Sequence, residues 1–206
     1  FEIGLNLLEN KNSLALINGP ISKTTFLKGK YNGITEYFAF KTGSINEVML
    51  IFNKKLSVSP ITTHIPINQV AKKIKKKIII NKIKNINEFY KKFLGFRPNI
   101  GITGLNPHCE TFVGKNFEKI EILPAVKFLK KKSIKISGPF PADTIFLKNN
   151  RKKFDVIVGM YHDQVLAPMK TIFDFNAINI TVGLPFVRIT PDHGPNYKMF
   201  GLNKSK

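Results

Sequence analysis

Residues 154–170 read FDVIVGMYHDQVLAPMK, and the chemistry of the chain changes abruptly within this stretch. The run FDVIV is apolar and β-branched, which is typical of a short buried strand. It leads into a Tyr-His-Asp-Gln run at residues 161–164, and Lys170 follows eight residues after His162. A connection that served only as a turn would use Gly, Pro, Asn or Ser. The stretch therefore predicts a strand that delivers an imidazole, a carboxylate and a cation to the end of a sheet.

Strand-like and helix-like runs alternate along the rest of the chain, which predicts an α/β sandwich with a largely parallel sheet. Strands 47–52 and 56–63 are close enough in sequence to form a hairpin, and Pro124 is expected to bend or split the last predicted helix. The predicted strands cover 13–18, 47–52, 56–63, 98–105, 134–138, 154–160 and 177–183, and the predicted helices cover 67–77, 86–96 and 117–131.

The composition limits the classes of protein to which the chain can belong. Hydrophobic residues make up 43% of the 206 residues, but no apolar run reaches transmembrane length, so we expect no membrane partner. The net charge is +20, yet only Arg97, Arg151 and Arg188 are arginines. Because arginine is favoured for phosphate and base contacts, we expect no nucleic-acid partner, and a basic nucleic-acid binder stays an alternative. The single cysteine, Cys109, fits a reducing cytoplasm.

Three of the four histidines follow predicted strands: His64 after SPITT, His108 after GITGLNP and His162 after DVIVGMY. Ligands of open α/β sheets bind beyond the carboxyl ends of the strands. The three imidazoles could therefore converge on one divalent cation. Their separations of 44 and 54 residues match no local zinc motif, and each histidine could equally be an ordinary polar loop residue.

Three charged side chains could serve a ligand at the same edge. Lys170 follows His162 within one connection, and Arg188 ends the segment NITVGLPFVR. Both could pair with an anion. Asp143, in the motif PADT, could accept a proton from a hydroxyl or ammonium group, or simply cap the next helix.

Eight short motifs occur in a fixed order along nearly the whole chain: NGPISK (18–23), TEYFA (35–39), THIP (63–66), GLNPH (104–108), GPFPADT (138–144), MYHDQ (160–164), NITVGLPFVR (179–188) and PDHG (191–194). Together they resemble the 4-hydroxythreonine-4-phosphate dehydrogenase family of pyridoxal phosphate (vitamin B6) synthesis. The resemblance implies a fold like that of isocitrate and isopropylmalate dehydrogenases, an α/β/α sandwich with a mixed, largely parallel sheet.

The resemblance also implies a homodimer whose active site is shared between the subunits. It assigns one divalent metal ion (Zn, Co, Mg or Mn) to three histidines, with the third, His162, supplied by the partner subunit. A phosphorylated small molecule would bind beside the metal. The residues implied are His64, His108 and His162 for the metal, Thr35, Lys170, Asn179 and Arg188 for the substrate, and Asp143 and Asp163 for further polar contacts.

The implied reaction oxidises 4-phosphohydroxy-L-threonine with NAD or NADP. The metal would lower the pKa of the substrate hydroxyl, the cofactor would accept a hydride, and decarboxylation would give 3-amino-2-oxopropyl phosphate. Lys170 would act with the three histidines in catalysis. No GxGxxG motif occurs, so the residues that bind the cofactor are not identified.

The chain departs from the family pattern at Ile34, where a histidine is usual. Isoleucine cannot hydrogen-bond a phosphate or hydroxyl group, which leaves two alternatives open: a paralogue that oxidises another phosphorylated hydroxy acid, such as threonate or erythronate 4-phosphate, or a non-catalytic metal- or phosphate-binding remnant. We expect residues 1–206 to be a single incomplete catalytic unit, cut at both ends, with two lobes that share a continuous core and flank the active-site cleft.

Overall fold

The structure, a computed structural model, describes residues 1–10, 12–31, 33–110 and 114–203, without the side chains of residues 23 and 24. Eight strands form one sheet in this part of the chain. In chain order they are β1 (Ala15–Ile17), β2 (Val48–Phe52), β3 (Ser57–Thr62), β4 (Ile100–Thr103), β5 (Ile136–Phe140), β6 (Val156–Tyr161), β7 (Ile178–Val182) and β8 (Val187–Pro191).

The strands lie side by side in the order β1-β8-β7-β2-β3-β6-β4-β5. The pairs β1–β8, β3–β6, β6–β4 and β4–β5 are parallel, and the other three pairs are antiparallel. The sheet is therefore mixed and mostly parallel, as predicted, and the β2–β3 hairpin is confirmed. Because β3, β6, β4 and β5 run in the same direction, their carboxyl ends share one edge of the sheet.

The helices alternate with the strands, which confirms the α/β class. A π-helical segment at Glu118–Ile122 precedes α6, so the predicted helix 117–131 is divided just before Pro124. The α-helices are α1 (Glu2–Glu9), α2 (Lys23–Leu27), α3 (Ile34–Thr42), α4 (Ile67–Lys73), α5 (Lys76–Phe89), α6 (Leu123–Lys131), α7 (Ala142–Ile145), α8 (Lys148–Arg151) and α9 (His162–Phe173).

The predicted helix 67–77 is interrupted at Ile74, which has an extended backbone (ψ 107°) and a fully buried side chain. A new helix, α5, starts at Lys76, whose backbone N–H donates to Glu121 Oε2 at 2.7 Å. A carboxylate from a distant segment thus satisfies an amide that a helix start leaves unpaired. The predicted helix 86–96 is also wrong at its borders, because α5 ends at Phe89 and a π-helical segment continues over Tyr90–Leu94.

Alternation along the strands divides the apolar side chains between the two faces of the sheet. On one face, Leu50 of β2 belongs to a cluster with Ile83 of α5 and Leu129 of α6. On the other face, Ile51 of β2 packs in a cluster with Leu166 of α9. The candidate site lies on this second face, where polar side chains of β7 and β8 lie next to α9.

None of the helices in the described ranges has both the length and the apolar character needed to cross a bilayer. The division into two lobes around a cleft stays a prediction.

Candidate functional site

A pocket of about 320 Å³ lies where the end of β3 and the first turn of α9 meet the polar stripe of β7 and β8. We call it the His64–His162 pocket. Its polar lining comes from seven elements or connections along the chain. The lining includes Asn18, Thr35, His64, His162, Lys170, Asn179, Arg188, Thr190, Asp192 and His193, together with Ile34 and Leu166.

The fold brings His64 and His162 together within one chain. His64 follows β3, and His162 is the first residue of α9, directly after β6. Since β3 and β6 are neighbouring parallel strands, both histidines emerge at the same edge. Their ring centroids are 5.7 Å apart.

Each of these two imidazoles faces a carboxylate through its Nδ1 atom. His162 Nδ1 is 2.7 Å from Asp163 Oδ1, and His64 Nδ1 is 3.5 Å from Glu36 Oε1. A carboxylate at Nδ1 fixes the ring orientation and leaves Nε2 for a ligand. Both rings are thus arranged as metal-binding histidines commonly are.

Glu36 does not itself line the pocket but contacts His64 and Thr63 beside it. Burial acts to raise the pKa of its carboxyl group, but hydrogen bonding from His64, from its own backbone and from Thr63 lowers the pKa below its usual value overall. Its Oε2 atom is buried without a hydrogen-bond partner in the described part of the chain. A Cβ atom on Gly33 would lie 2.5 Å from this Oε2 and 3.2 Å from His64 Nδ1, so a larger residue there would displace the Glu36 carboxylate.

The separation of the two rings is compatible with one shared metal ion. A metal about 2.0–2.1 Å from a ring nitrogen lies roughly 3.2 Å from the ring centroid, so two ligating rings can have centroids up to about 6.4 Å apart. The observed 5.7 Å is within this limit. The described residues nevertheless contain no group of three His, Cys, Asp or Glu side chains that could hold an ion. The chain thus supplies two imidazoles of a candidate site.

His108 lies elsewhere at the same edge of the sheet. It is exposed on a 3₁₀ turn, Pro107–Cys109, that follows β4, and it does not line the His64–His162 pocket. Its φ of 56° is in the left-handed region. The resemblance implies that His162 comes from the partner subunit, but His162 lies beside His64 within one chain, and His108 is the histidine that lies apart. That the three histidines share one ion across a dimer stays a prediction.

Arg188 lines the pocket although its side chain is almost completely buried, at 1% exposure. Its Nε donates to Asn18 Oδ1 at 2.9 Å, one terminal nitrogen donates to Thr181 Oγ1 at 3.2 Å, and the guanidinium lies over the Phe38 ring. Burial lowers the pKa of Arg188 to about 10, so the group is still protonated at neutral pH. No carboxylate of the described residues forms a salt bridge with it, which leaves a buried positive charge that an anionic ligand could neutralise.

Lys170 is already paired in the pocket. Its Nζ is 2.5 Å from Asp192 Oδ2, donates to the backbone oxygen of Asp192 at 2.6 Å, and lies over the Phe175 ring. The predicted charge partner of the substrate is thus held by an internal carboxylate, and an incoming anion would compete with Asp192.

The remaining predicted substrate residues are divided between two places. Thr35 and Asn179 line the pocket, and the buried Oδ1 of Asn179 has no hydrogen-bond partner among the described residues. Asp163 is mostly exposed and contacts the pocket through His162. Asp143 is exposed on α7 and does not line the pocket; its charge acts on Cys109, near His108.

Cys109 does not have the environment of a reactive thiol. Burial is the largest cause that raises its pKa above the usual value, and nearby carboxylates, Glu118 and Asp143 among them, add to the effect. A raised pKa reduces the thiolate fraction at neutral pH.

Sequence reasoning missed Glu36 and Asp192 as members of the site. Both residues lie in motifs quoted above, Glu36 in TEYFA and Asp192 in PDHG, but the sequence predicted no role for either carboxylate. Local sequence does not identify them, because their partners are distant in the chain. Glu36 contacts His64 and Asp192 contacts Lys170, each at least 22 positions away.

Comparison with known proteins identifies the family. The family model described as pyridoxal phosphate biosynthetic protein PdxA matches residues 1–206. A 4-hydroxythreonine-4-phosphate dehydrogenase of Sulfurihydrogenibium sp. is 45% identical over 96% of this chain and 62% of the relative. A relative of Oceanobacillus iheyensis with the provisional name D-threonate 4-phosphate dehydrogenase is 35% identical over 91% of this chain and 58% of the relative.

A solved structure supports the same conclusion. The crystal structure of a 4-hydroxythreonine-4-phosphate dehydrogenase from Klebsiella pneumoniae matches with a TM-score of 0.80 and 32% identity, over 98% of this chain and 62% of that chain. The chain spans about 60% of the length of the relatives that it matches. The chain belongs to the PdxA family of pyridoxal phosphate biosynthetic proteins.

Proposed function

We propose that this chain forms the metal- and substrate-binding part of an NAD(P)-dependent dehydrogenase that oxidises 4-phosphohydroxy-L-threonine in pyridoxal 5'-phosphate synthesis, with decarboxylation to 3-amino-2-oxopropyl phosphate. One observation carries the proposal: a buried, protonated Arg188, which forms no salt bridge with a carboxylate of the described residues, lines the same pocket as two imidazoles with carboxylates at Nδ1. A phosphorylated substrate with a hydroxyl group near a metal requires this combination of groups.

Arg188 supplies the main charge for an anionic group of the substrate. Its fixed contacts with Asn18 and Thr181 hold the guanidinium in place before a ligand arrives, which limits the entropy lost on binding. Thr35 lies beside it, with Oγ1 3.4 Å from Thr181 Oγ1, and can donate or accept a further hydrogen bond. The unpaired Oδ1 of Asn179 can accept one from a hydroxyl or ammonium group of the substrate.

His64 and His162 would hold the divalent ion through Nε2, and we propose that His108 of a second subunit completes the set in a homodimer. When bound, the ion would lower the pKa of the substrate hydroxyl, and NAD(P)+ would accept the hydride from the same carbon. Lys170, whose Nζ contacts Asp192, is a cation that can stabilise the negative charge that develops on oxygen as CO2 leaves.

A second substrate class is favoured by one observation. Ile34 lines the pocket at the position where the family usually has histidine, and isoleucine offers no hydrogen bond. Without a hydrogen bond from this position, the pocket does not by itself specify 4-phosphohydroxy-L-threonine. The alternative substrate is a phosphorylated hydroxy acid without the amino group, such as D-threonate 4-phosphate.

The test is a reduction assay with purified protein, NAD+ or NADP+, and each of Zn²⁺, Co²⁺, Mg²⁺ and Mn²⁺. We expect metal-dependent NAD(P)H formation with 4-phosphohydroxy-L-threonine, abolished by chelation. Turnover only with threonate or erythronate 4-phosphate would select the alternative. Binding of metal and phosphorylated substrate without any reduction would instead identify a non-catalytic binding remnant. Salt-dependent binding to nucleic acid with no binding of metal or substrate would support the basic nucleic-acid binder.

A further inference from the structure

The loop that carries His108, residues 104–109, has a backbone that needs outside support. We call it the His108 loop. Both His108 and Cys109 have φ in the left-handed region, at 56° and 60°. Such conformations cost non-glycine residues free energy, and they persist where surrounding contacts determine them. The loop also folds back on itself, because a Cβ on Gly104 would lie 2.7 Å from Cys109 Sγ.

A buried carboxylate binds the start of this loop. Glu118, on the π-helical segment before α6, is 1% exposed. Its Oε1 accepts hydrogen bonds from the backbone N–H groups of Leu105 and Asn106, both at 2.8 Å. The Asn106 side-chain amide donates to Oε1 at 3.3 Å and to Oε2 at 3.1 Å. No Lys, Arg or His of the described residues forms a salt bridge with Glu118, so the loop alone stabilises its charge.

A second, partly buried contact ties the same loop to α9. Gln164 Nε2 donates to the backbone oxygen of Gly104 at 2.9 Å. Its Oε1 accepts from Thr103 Oγ1 at 2.8 Å and from the backbone N–H of Met160 at 2.6 Å. Gln164 follows His162 by two residues, so the His108 loop and the helix that begins at His162 are joined by one side chain.

We infer that Glu118 is a positioning residue for His108: its carboxylate fixes the backbone of residues 105 and 106 and thereby sets where the imidazole is presented. The inference rests on the proposed metal-binding function. An apolar side chain at position 118 would satisfy the core without the cost of burying a carboxylate. The buried carboxylate at position 118 therefore serves to bind the loop, and the loop in turn presents the exposed His108 imidazole to a metal.

Two readouts test this inference separately from the proposed function. Hydrogen exchange reports the amides of Leu105 and Asn106, and competition with a chromogenic chelator reports the affinity for Zn²⁺. The variant is Glu118→Gln, and the matched control is Glu121→Gln, which changes a carboxylate of the same segment that contacts Lys76 and not the loop. We expect Glu118→Gln to speed exchange of both amides about tenfold or more and to weaken Zn²⁺ binding about 10- to 100-fold. The control should change neither readout.

A double-mutant cycle with His108→Ala distinguishes positioning from general damage. If Glu118 acts through His108, Glu118→Gln will weaken Zn²⁺ binding no further in the His108→Ala protein. Full additivity of the two losses, or amide exchange and affinity like those of the wild type, would overturn the inference. If His108→Ala itself leaves Zn²⁺ affinity unchanged, the proposed metal site fails, whereas the effect of Glu118→Gln on amide exchange would still show loop positioning.

Asn106→Ala provides a milder variant in case Glu118→Gln does not fold. It removes only the side-chain amide contacts with Glu118 and keeps both backbone contacts. We expect a loss of Zn²⁺ affinity in the same direction, at most about tenfold. Unchanged affinity in Asn106→Ala together with an unfolded Glu118→Gln protein would count against positioning and assign Glu118 to the fold.

Discussion

The His64–His162 pocket and the His108 loop lie at the same edge of one sheet, but they satisfy their polar groups in opposite ways. In the pocket, the buried Asn179 Oδ1 has no hydrogen-bond partner among the described residues, and the buried Arg188 forms no salt bridge with a carboxylate of those residues. In the loop, the backbone amides at 105 and 106 are paired with the buried Glu118, and the carbonyl at 104 is paired with the partly buried Gln164.

The pocket therefore has the properties of a ligand-binding site, whereas the loop has the properties of a segment that positions one side chain. Unpaired buried groups are costly, so a pocket that keeps them gains free energy when a complementary ligand arrives. A loop whose backbone is paired at residues 104–106 gains little there from a ligand and serves to hold one exposed side chain in place. The comparison predicts that changes in the pocket act on binding and that changes around the loop act on position or local stability.

The largest effect is expected from Arg188→Gln. Removing the buried cation should weaken binding of the phosphorylated substrate by about 2–5 kcal/mol, because the anion loses its partner in a desolvated site. Isothermal titration calorimetry measures this loss, and the exposed Arg97→Gln is the matched control. Amide exchange in the His108 loop should not change; a change there would contradict the separation of the two regions.

The next effect concerns the metal. His64→Ala and His162→Ala should each weaken Zn²⁺ binding at least about 100-fold, since loss of a ligand exceeds the effect of losing an outer partner. His193→Ala is the control, because His193 lines the same pocket but bonds to the backbone oxygen of Gly194. Equal losses in all three variants would mean that the pocket has no specific pair of ligands.

A smaller effect is expected where the loop meets α9. Gln164→Leu leaves the Gly104 carbonyl and the Met160 N–H without their partner, which should lower the free energy of unfolding by about 2 kcal/mol. Denaturant titration measures it, with the exposed Gln69→Leu as control. Affinity for the phosphorylated substrate should be kept, and a loss as large as that of Arg188→Gln would show that loop and pocket are one unit.

The smallest effect lies away from both regions. Tyr90 donates a hydrogen bond to Ser57 Oγ at 2.8 Å, and burial raises the pKa of Tyr90 to about 12, above its ordinary value of 10.0. The neutral phenol therefore stabilises the fold fully below pH 10, and this contribution is lost as pH rises towards 12. Tyr90→Phe should cost about 1 kcal/mol at neutral pH and should remove this part of the alkaline dependence. Zn²⁺ affinity should stay as in the wild type.

The sequence predicts seven of the eight strands but not β8 (Val187–Pro191), and it identifies only some of the residues that line the pocket. Strand cores such as FDVIV are continuous apolar runs, so local pattern is enough to locate them. The start of α9 at His162 was not predicted, because a His-Asp-Gln run carries no apolar periodicity. The meeting of His64 with His162 depends on β3 and β6 being neighbours, which no local pattern encodes.

The errors have the same origin in long-range contacts. The helix predicted over 67–77 is broken because Ile74 is buried in the core and Glu121 binds the amide of Lys76. Glu118 looks like an ordinary acidic residue of a lysine-rich helix, and only its three-dimensional neighbours reveal that it is buried. Family motifs predict His108 as a metal ligand, but they give no account of what holds it.

X-ray absorption spectroscopy of the Co²⁺-loaded protein tests the central claim most directly, since it counts the imidazoles bound to the ion. The arrangement of His64 and His162 predicts at least two imidazole ligands in the wild type, and these two should remain in the His108→Ala protein. A spectrum with only oxygen ligands in the wild-type protein would contradict the account.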